Sequence, residues 1–217
     1  MGKAKVKRAS TTIDMTAMCD VSFLLLTFFV LTATARQPEV LEVDTPASTT
    51  QDKLPDDNLG VISVAGGKVF FSVKNPTVRE LTLKNMSAKY GVGFSAEEYE
   101  KFRQLDEFGV PMKNLRQLLS LENDKRTVDL QVGIPVDSTE TATNELYSWV
   151  QEARKATIEY NRSRDGEKDF VDPGPMKVAI KANADEKYPT VYLIIETLRN
   201  QKQNKFSFVT GLRGADD

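Results

Sequence analysis

The chain has 217 residues and a formal net charge of −2, with 29 lysine or arginine residues against 31 acidic ones. This balance argues against general nucleic-acid binding, which needs a basic surface. There is no histidine, which excludes histidine-dependent triads and histidine metal ligands, and the single cysteine, Cys19, excludes a disulfide within the chain. We therefore expect no bound metal or cofactor and no enzymatic activity.

The N-terminal region has the charge pattern of a membrane anchor. Its first residues include four basic side chains, Lys3, Lys5, Lys7 and Arg8. They precede the uncharged stretch Val21–Ala35, and together they predict a tail over 1–16 and a transmembrane helix over 17–36. At ~1.5 Å per residue such a helix crosses most of a bilayer core of ~30 Å. The basic residues place the tail in the cytoplasm and the rest of the chain on the other side.

Asp20 lies at the start of this apolar segment, where a carboxylate is energetically unfavourable. An ionised aspartate at the centre of a membrane helix costs ~2.5–3.5 kcal/mol, and somewhat less near the helix end. Such a residue is a candidate carrier of protons or ions. Thr27 and Thr34 fall on roughly the same helical face, which favours a polar, pore-facing stripe. Alternatively, their hydroxyl groups bond only to carbonyl groups of their own helix.

The same segment also fits a cleaved signal peptide. A basic start, an apolar stretch and the sequence Ala33-Thr34-Ala35 are typical of such a peptide. Asp20 beside the apolar stretch and Asp14 upstream argue against this alternative, because acids there are unfavourable in a signal peptide. We therefore expect the segment to be retained as an anchor.

Residues 37–59 are predicted to form a flexible linker. They contain three prolines, Pro38, Pro46 and Pro55, and a centre rich in threonine, serine and aspartate without a sustained hydrophobic period. Fully extended, the linker reaches ~75 Å. That length is sufficient to hold a folded domain well away from the membrane.

A β-hairpin and a helix are predicted at the start of an outer domain over 60–217. Alternating apolar residues surround Gly66-Gly67 within 61–71, which is typical of a hairpin. Asn75-Pro76 predicts the start of a helix, which Gly91 should end.

The middle of this domain is predicted to contain three more helices and a strand. The capping-box sequence Ser95-Ala96-Glu97-Glu98 starts the first helix. Apolar spacing predicts the second helix over 111–121 and the third over 140–160. Between these two, residues 127–134 alternate apolar and polar side chains, which predicts a strand that Pro135 ends.

The C-terminal part has the clearest pattern. A strand over 176–182, a helix over 189–200 and a strand over 206–209 form a predicted βαβ unit. Together with the hairpin, this unit predicts a small α+β domain that has one sheet with helices on one face.

The N-terminal sequence resembles that of the ExbD/TolR family, whose members begin D-M-T-P-L-x-D-V and span the membrane once. The matching residues are Asp14-Met15-Thr16-Ala17-Met18-Cys19-Asp20-Val21 and, after the apolar segment, Val43-Asp44-Thr45-Pro46-Ala47-Ser48. Asp20 falls on the family's proton-carrying aspartate, and Asp14 on the acid that opens the motif. Ala17 replaces the usual proline, and Thr45 replaces the usual leucine of an L-P-x-[AS] stretch.

The strength of the resemblance varies along the chain. It is strong over 13–48, weaker over 61–71 and 176–212, and absent from the middle. Residues 92–172 are therefore predicted to be an insertion relative to shorter relatives, and the sequence predicts no function for them.

The resemblance implies a proton-driven motor of the bacterial inner membrane, more ExbD-like than TolR-like. In this family, ExbD-like chains form a homodimer whose anchors lie inside a ring of ExbB-like or TolQ-like helices, with the C-terminal domain in the periplasm. Alternating protonation of two Asp20 residues would bias rotation of the dimer. The linker, with Val43, Asp44 and Pro46 as a docking motif, would pass this motion to a TonB-like protein for outer-membrane transport.

Two alternatives remain open. One is a TolR-like subunit that acts in envelope constriction and binds peptidoglycan. The other is a membrane-tethered scaffold without proton flow.

Overall fold

The computed structural model describes residues 15–32, 45, 47–48, 54, 58–122, 125–141, 143–168 and 170–212. The chain divides into two compact units, Met1–Pro38 and Glu39–Asp217. The first unit contains one apolar helix and the second an α+β domain, so the predicted fold class is confirmed.

The described helices are α1 (Met15–Thr32), α2 (Pro76–Tyr90), α3 (Ala96–Gln104), α4 (Met112–Ser120), α5 (Glu145–Arg164) and α6 (Tyr188–Asn200), with a 3₁₀ helix at Val128–Leu130. The described strands are β1 (Ala47–Ser48), β2 (Leu59–Ala65), β3 (Lys68–Val73), β4 (Lys177–Ala182), β5 (Phe206–Phe208) and β6 (Gly211–Leu212).

Four strands form the main sheet, in the order β3-β2-β4-β5. The predicted hairpin is confirmed as the antiparallel pair β2–β3, whose turn has positive φ at Gly66 (58°) and Gly67 (74°). Glycine adopts positive φ without a steric penalty, so Gly66-Gly67 suits this two-residue hairpin turn. The predicted βαβ unit is confirmed too, since β4 and β5 are parallel and α6 connects them.

A second, two-stranded sheet adds to the predicted single one. Strand β1 pairs with β6 in parallel, with Ala47 opposite Gly211 and Ser48 opposite Leu212. Strand β1 falls within the predicted linker, so this part of the linker carries a backbone pairing that the sequence did not predict.

The core lies on one face of the main sheet. Register places Ile62 on β2 beside Phe71 on β3 and Ile180 on β4, so all three side chains point to the same face. Each is fully buried, and helices α2 to α6 contribute side chains to the same core cluster. Burial of each such side chain contributes about 1.5–3 kcal/mol to folding.

The predicted helix ends are confirmed where local capping residues specify them. The Asn75 side chain accepts hydrogen bonds from the first turn of α2, and Gly91 ends that helix in a left-handed conformation. At α3, Ser95 and Glu98 form the predicted capping box, each side chain bonding the other residue's backbone N–H.

The predicted strand over 127–134 is wrong. A 3₁₀ helix and an irregular extended segment occupy this stretch, and Leu130 and Val132 are 60% and 64% exposed. The side chain of Gln131 is buried instead, where it accepts a hydrogen bond from the backbone of Gly109. The positive φ of Gly133 also interrupts a regular strand.

The predicted helix over 140–160 is wrong at both ends, since α5 begins at Glu145 and ends at Arg164. Before it, hydroxyl groups of Thr139 and Thr143 donate to the Asp137 carboxylate and hold the chain in a loop. Asn144 then forms the N-cap of α5.

Residues 92–172, the central segment, belong to the same compact unit as the sheet. Its buried aromatic residues Phe102, Phe108 and Trp149 join the core cluster that contains the sheet residues. The ring centroids of Phe108 and Trp149 are 4.7 Å apart and in an edge-to-face arrangement. The central segment is therefore a structural part of the domain.

Candidate functional site

Helix α1 has the length and composition of a membrane span. Its 18 residues have a mean hydropathy of 1.9, and none of them is buried against the rest of the protein. At ~1.5 Å per residue the helix is ~27 Å long, close to the ~30 Å of a bilayer core. Such a surface needs lipid or partner helices to cover it.

Asp20 lies in the second turn of α1, ~8 Å along the axis from Met15. Within the described part of the chain, its exposed carboxylate makes no hydrogen bond or ion pair. Thr16 and Leu24 are its neighbours one turn away on the same face. Any partner for the Asp20 carboxylate must therefore come from outside the described residues.

Thr27 shares the face of Asp20 and lies ~10 Å further along the helix. Its hydroxyl donates to the carbonyl of Leu24 at 2.9 Å. Ser22 and Thr32 make the same kind of bond, to the carbonyls of Met18 and Phe28. This geometry supports backbone bonding for Thr27, although the hydroxyl oxygen can still accept a hydrogen bond.

The remaining predicted site residues fall into two groups. Met15, which is 68% exposed, and Thr16 begin α1 and lie within a turn and a half of Asp20. The other predicted residues lie outside the described ones: Asp14, Thr34, Val43, Asp44 and Pro46. For these five, the roles given by the sequence stay predictions.

The outer domain contains a cleft of about 380 Å³ that the sequence did not predict. It is lined by Gly66, Gly67, Asn183, Asp185, Glu186, Lys187 and Thr190, between the hairpin turn and the start of α6. Glu186 accepts a hydrogen bond from the Gly67 backbone at 3.1 Å, so it fastens the turn to the loop before α6. No signal in the sequence connects these two distant loops.

Metal-binding chemistry has no support in the described ranges. No group of three or more aspartate, glutamate or cysteine side chains is arranged there to hold a metal ion. Cys19 is a free, exposed thiol on α1.

The described residues thus combine one helix that is long and apolar enough to span a membrane, and that carries an exposed carboxylate, with an α+β domain. Comparison with protein families matches the family described as Biopolymer transport protein ExbD/TolR over residues 6–212. The chain belongs to the ExbD/TolR family. No curated protein and no solved structure gives a significant match.

Family membership determines the general role of the chain. The family consists of transport-associated, non-enzymatic proteins that are anchored in the inner membrane. Its members associate with membrane partners of the ExbB or TolQ type. Helix α1 is the described element that fits this anchoring.

Proposed function

We propose that this chain is the proton-carrying subunit of an ExbB/ExbD-type motor that energises a TonB-like protein for outer-membrane transport. The observation that supports it best is Asp20, a carboxylate on an otherwise uncharged, uncovered helix of a transport family. Among the described residues of α1, it is the one acidic side chain.

The proposed mechanism uses the two protonation states of Asp20. A carboxylate favours its neutral form against apolar surface and its charged form beside a polar pathway. One proton that crosses the membrane releases ~2.3 kcal/mol per 100 mV of potential. In a homodimer inside a ring of ExbB-like helices, alternating protonation of the two carboxylates biases rotation.

The proposed topology follows the sequence. Residues 1–16 lie in the cytoplasm, residues 17–36 span the inner membrane, and the linker over 37–59 leads to a periplasmic domain. Val43, Asp44 and Pro46 then act as a docking motif that passes motion to the TonB-like partner.

The test replaces Asp20 with asparagine, which has similar size and hydrogen-bonding capacity but cannot gain or lose a proton. We expect normal or higher protein levels in the membrane, because the cost of inserting a charge disappears. Proton-driven uptake and proton flux, measured at matched protein levels, should be lost. Asp20→Glu should keep at most part of the activity, since the extra methylene moves the carboxyl group.

Three control variants test whether the loss of activity is specific to Asp20. They distinguish it from the effect of substituting any polar residue in α1 and from the effect of removing any other carboxylate. Ser22→Ala removes a hydroxyl on the opposite side of α1 that bonds the Met18 carbonyl at 2.8 Å, and it should be active. Asp129→Asn removes an exposed carboxylate of the outer domain and should also be active. Asp14→Asn should be tolerated better than Asp20→Asn. Full activity of Asp20→Asn would contradict the proposal and favour a tethered scaffold.

The family description names TolR as well as ExbD, which favours one second candidate. A TolR-like subunit would share the anchor and the proton carrier but act in envelope constriction, with an outer domain that binds peptidoglycan. Copurification separates the two. A TonB-like partner supports the first proposal, whereas Tol-system partners and sedimentation with purified peptidoglycan support the second.

A further inference from the structure

The two edges of the main sheet differ in a way that restricts what can bind there. An edge strand presents unpaired N–H and C=O groups, which can pair with a strand of another chain. Strand β3 forms one edge and β5 the other. If both edges were exposed, β3 would be the more prone to pair with another chain. Its residues Val69–Val73 are an uncharged run of β-branched and aromatic side chains with one serine.

The central segment occupies the β3 edge. Phe71 and Phe108 exchange two backbone hydrogen bonds, of 2.8 and 3.1 Å, and the Ile134 N–H donates to the Val69 carbonyl at 2.8 Å. Phe108 and Ile134 are 26 positions apart in sequence, so two separate pieces of the central segment meet at one edge. We call Phe108–Gly109 together with Gly133–Ile134 the edge cap.

The edge cap encloses the strand on both faces. On the core face, the Phe108 ring contacts the Phe71 ring edge to face, with centroids 6.3 Å apart. On the other face, Gly109 lies so close to Phe70 that a Cβ atom at Gly109 would overlap the ring. The two pieces of the cap are joined by the Gly133 N–H, which donates to the Gly109 carbonyl at 2.7 Å.

The edge cap does not replace one strand edge with another. Its second piece follows the 3₁₀ helix Val128–Leu130 and contains Gly133 at a φ of 93°, so the extended run is short and kinked. The buried Gln131 side chain also points inward, where its oxygen accepts from Gly109. Kinks and inward-pointing polar groups both discourage strand pairing.

The β5 edge is different. The Val209 N–H donates to the Ile180 carbonyl on β4 at 2.9 Å, so alternation along the strand directs the Phe208 backbone groups away from β4. No described residue pairs with β5 on that side. Phe208 is also 51% exposed.

We propose that the central segment is a built-in substitute for a strand, which prevents a second copy of this chain from pairing at β3. Strand addition is thereby confined to the β5 edge. A sheet with two open edges can pair head to tail without limit, whereas a sheet with one open edge forms only a closed pair. This role explains the residues for which the sequence predicted no function, and it is independent of proton transfer at Asp20.

The test uses the full-length protein in detergent and the variant Gly133→Ala. A Cβ atom there would lie 3.0 Å from the Val69 backbone nitrogen, and the positive φ disfavours alanine, so the cap should loosen. The matched control is Gly166→Ala, which has a similar φ of 100° and no atom within 4 Å of its Cβ. Both glycines belong to the central segment.

Hydrogen exchange and sedimentation velocity provide the two measurements. In Gly133→Ala we expect amide exchange in β3 to accelerate about tenfold or more, and species larger than those of the unaltered protein to form as concentration rises. Gly166→Ala should show neither change. The fluorescence of the buried Trp149, the single tryptophan of the chain, verifies that each variant is folded.

A second variant loosens the cap without backbone strain. The Lys68 ammonium donates to the Val128 carbonyl at 3.3 Å, and Lys68→Glu removes this donor but keeps a charge at the start of β3. It should change both measurements in the same direction, to a smaller extent. Faster β3 exchange without larger species would overturn the proposal. So would unchanged exchange in both variants, or equal association in Gly166→Ala.

Discussion

Helix α1 and the outer domain differ in the exposure of their apolar side chains. Leu26 in α1 is 60% exposed and no residue of that helix is buried, whereas Leu83 in α2 is fully buried. The domain therefore covers its own apolar surface, while α1 depends on lipid or partner helices. The domain thus buries its apolar core by itself, whereas the apolar surface of α1 has to be covered by lipid or by other helices.

The same difference applies to polar groups. In the domain, the buried Asn144 amide donates to Thr197 at 3.0 Å, and buried Arg79 donates to the Leu105 carbonyl and to Asp106. On α1, Asp20 has no such partner among the described residues. The buried polar groups of the domain are therefore held by other parts of the fold, whereas a partner for Asp20 has to come from outside the described residues.

The largest expected effect is on the free energy of unfolding, when a leucine is replaced by alanine in each of the two regions. Leu83→Ala should lower the free energy of unfolding of the domain by about 2–5 kcal/mol, because it leaves a cavity in the core. Leu26→Ala should change it by less than ~0.5 kcal/mol. Trp149 lies in the domain, so denaturant unfolding of the full-length protein followed by its fluorescence reports the domain alone. Equal effects would show that the two units are not independent.

Local signals explain what the sequence predicted well. Asn75-Pro76, Gly91 and the capping box at Ser95 act through hydrogen bonds within a few residues, so their effect does not depend on the rest of the fold. The apolar helix is similarly local, because its length and hydropathy come from consecutive residues, and family membership then identifies it as the inner-membrane anchor. Once the helix is located in the sequence, the position of Asp20 in its second turn is fixed by residue number alone.

Long-range contacts explain what the sequence missed. The alternation over 127–134 is genuine, but Gly109 and the β3 edge, both distant in sequence, decide which side chains are buried. The cleft beside Gly67 has the same origin, since Glu186 reaches it from the other end of the domain. A single sequence does not show such pairings.

An intermediate effect tests the contact between the central segment and the C-terminal βαβ unit. The Asn144 side chain caps α5 by accepting from Tyr147 at 3.0 Å, and it also donates to Thr197 on α6. Asn144→Ala should lower the free energy of unfolding by about 1–3 kcal/mol, because a cap and a buried bond are both lost. The exposed Asn114 provides the control, and Asn114→Ala should cost less than ~0.5 kcal/mol. Equal stability of the two variants would mean that Asn144 does not join these elements.

The smallest expected effect concerns Glu145, a half-buried residue in the first turn of α5. Its carboxylate accepts a hydrogen bond of 2.7 Å from the Met112 N–H at the start of α4, where the N-cap Pro111 has no side-chain bond. Burial raises the pKa of Glu145 above its ordinary value of 4.5, and the Met112 bond and Lys113 oppose this only in part.

The raised pKa of Glu145 predicts a pH-dependent difference between Glu145→Gln and the unaltered protein. Above pH 4.5 the unfolded state releases the Glu145 proton more readily than the folded state, so this group destabilises the fold as pH rises. Glutamine keeps the acceptor for Met112 without the charge. From pH 4 to pH 7, Glu145→Gln should therefore gain stability relative to the unaltered protein, by ~0.5 kcal/mol or less because solvent screens a half-exposed group. Unfolding at both pH values measures the gain, and exposed Glu140→Gln serves as control. A relative loss of stability at pH 7 would show that the Met112 bond outweighs burial.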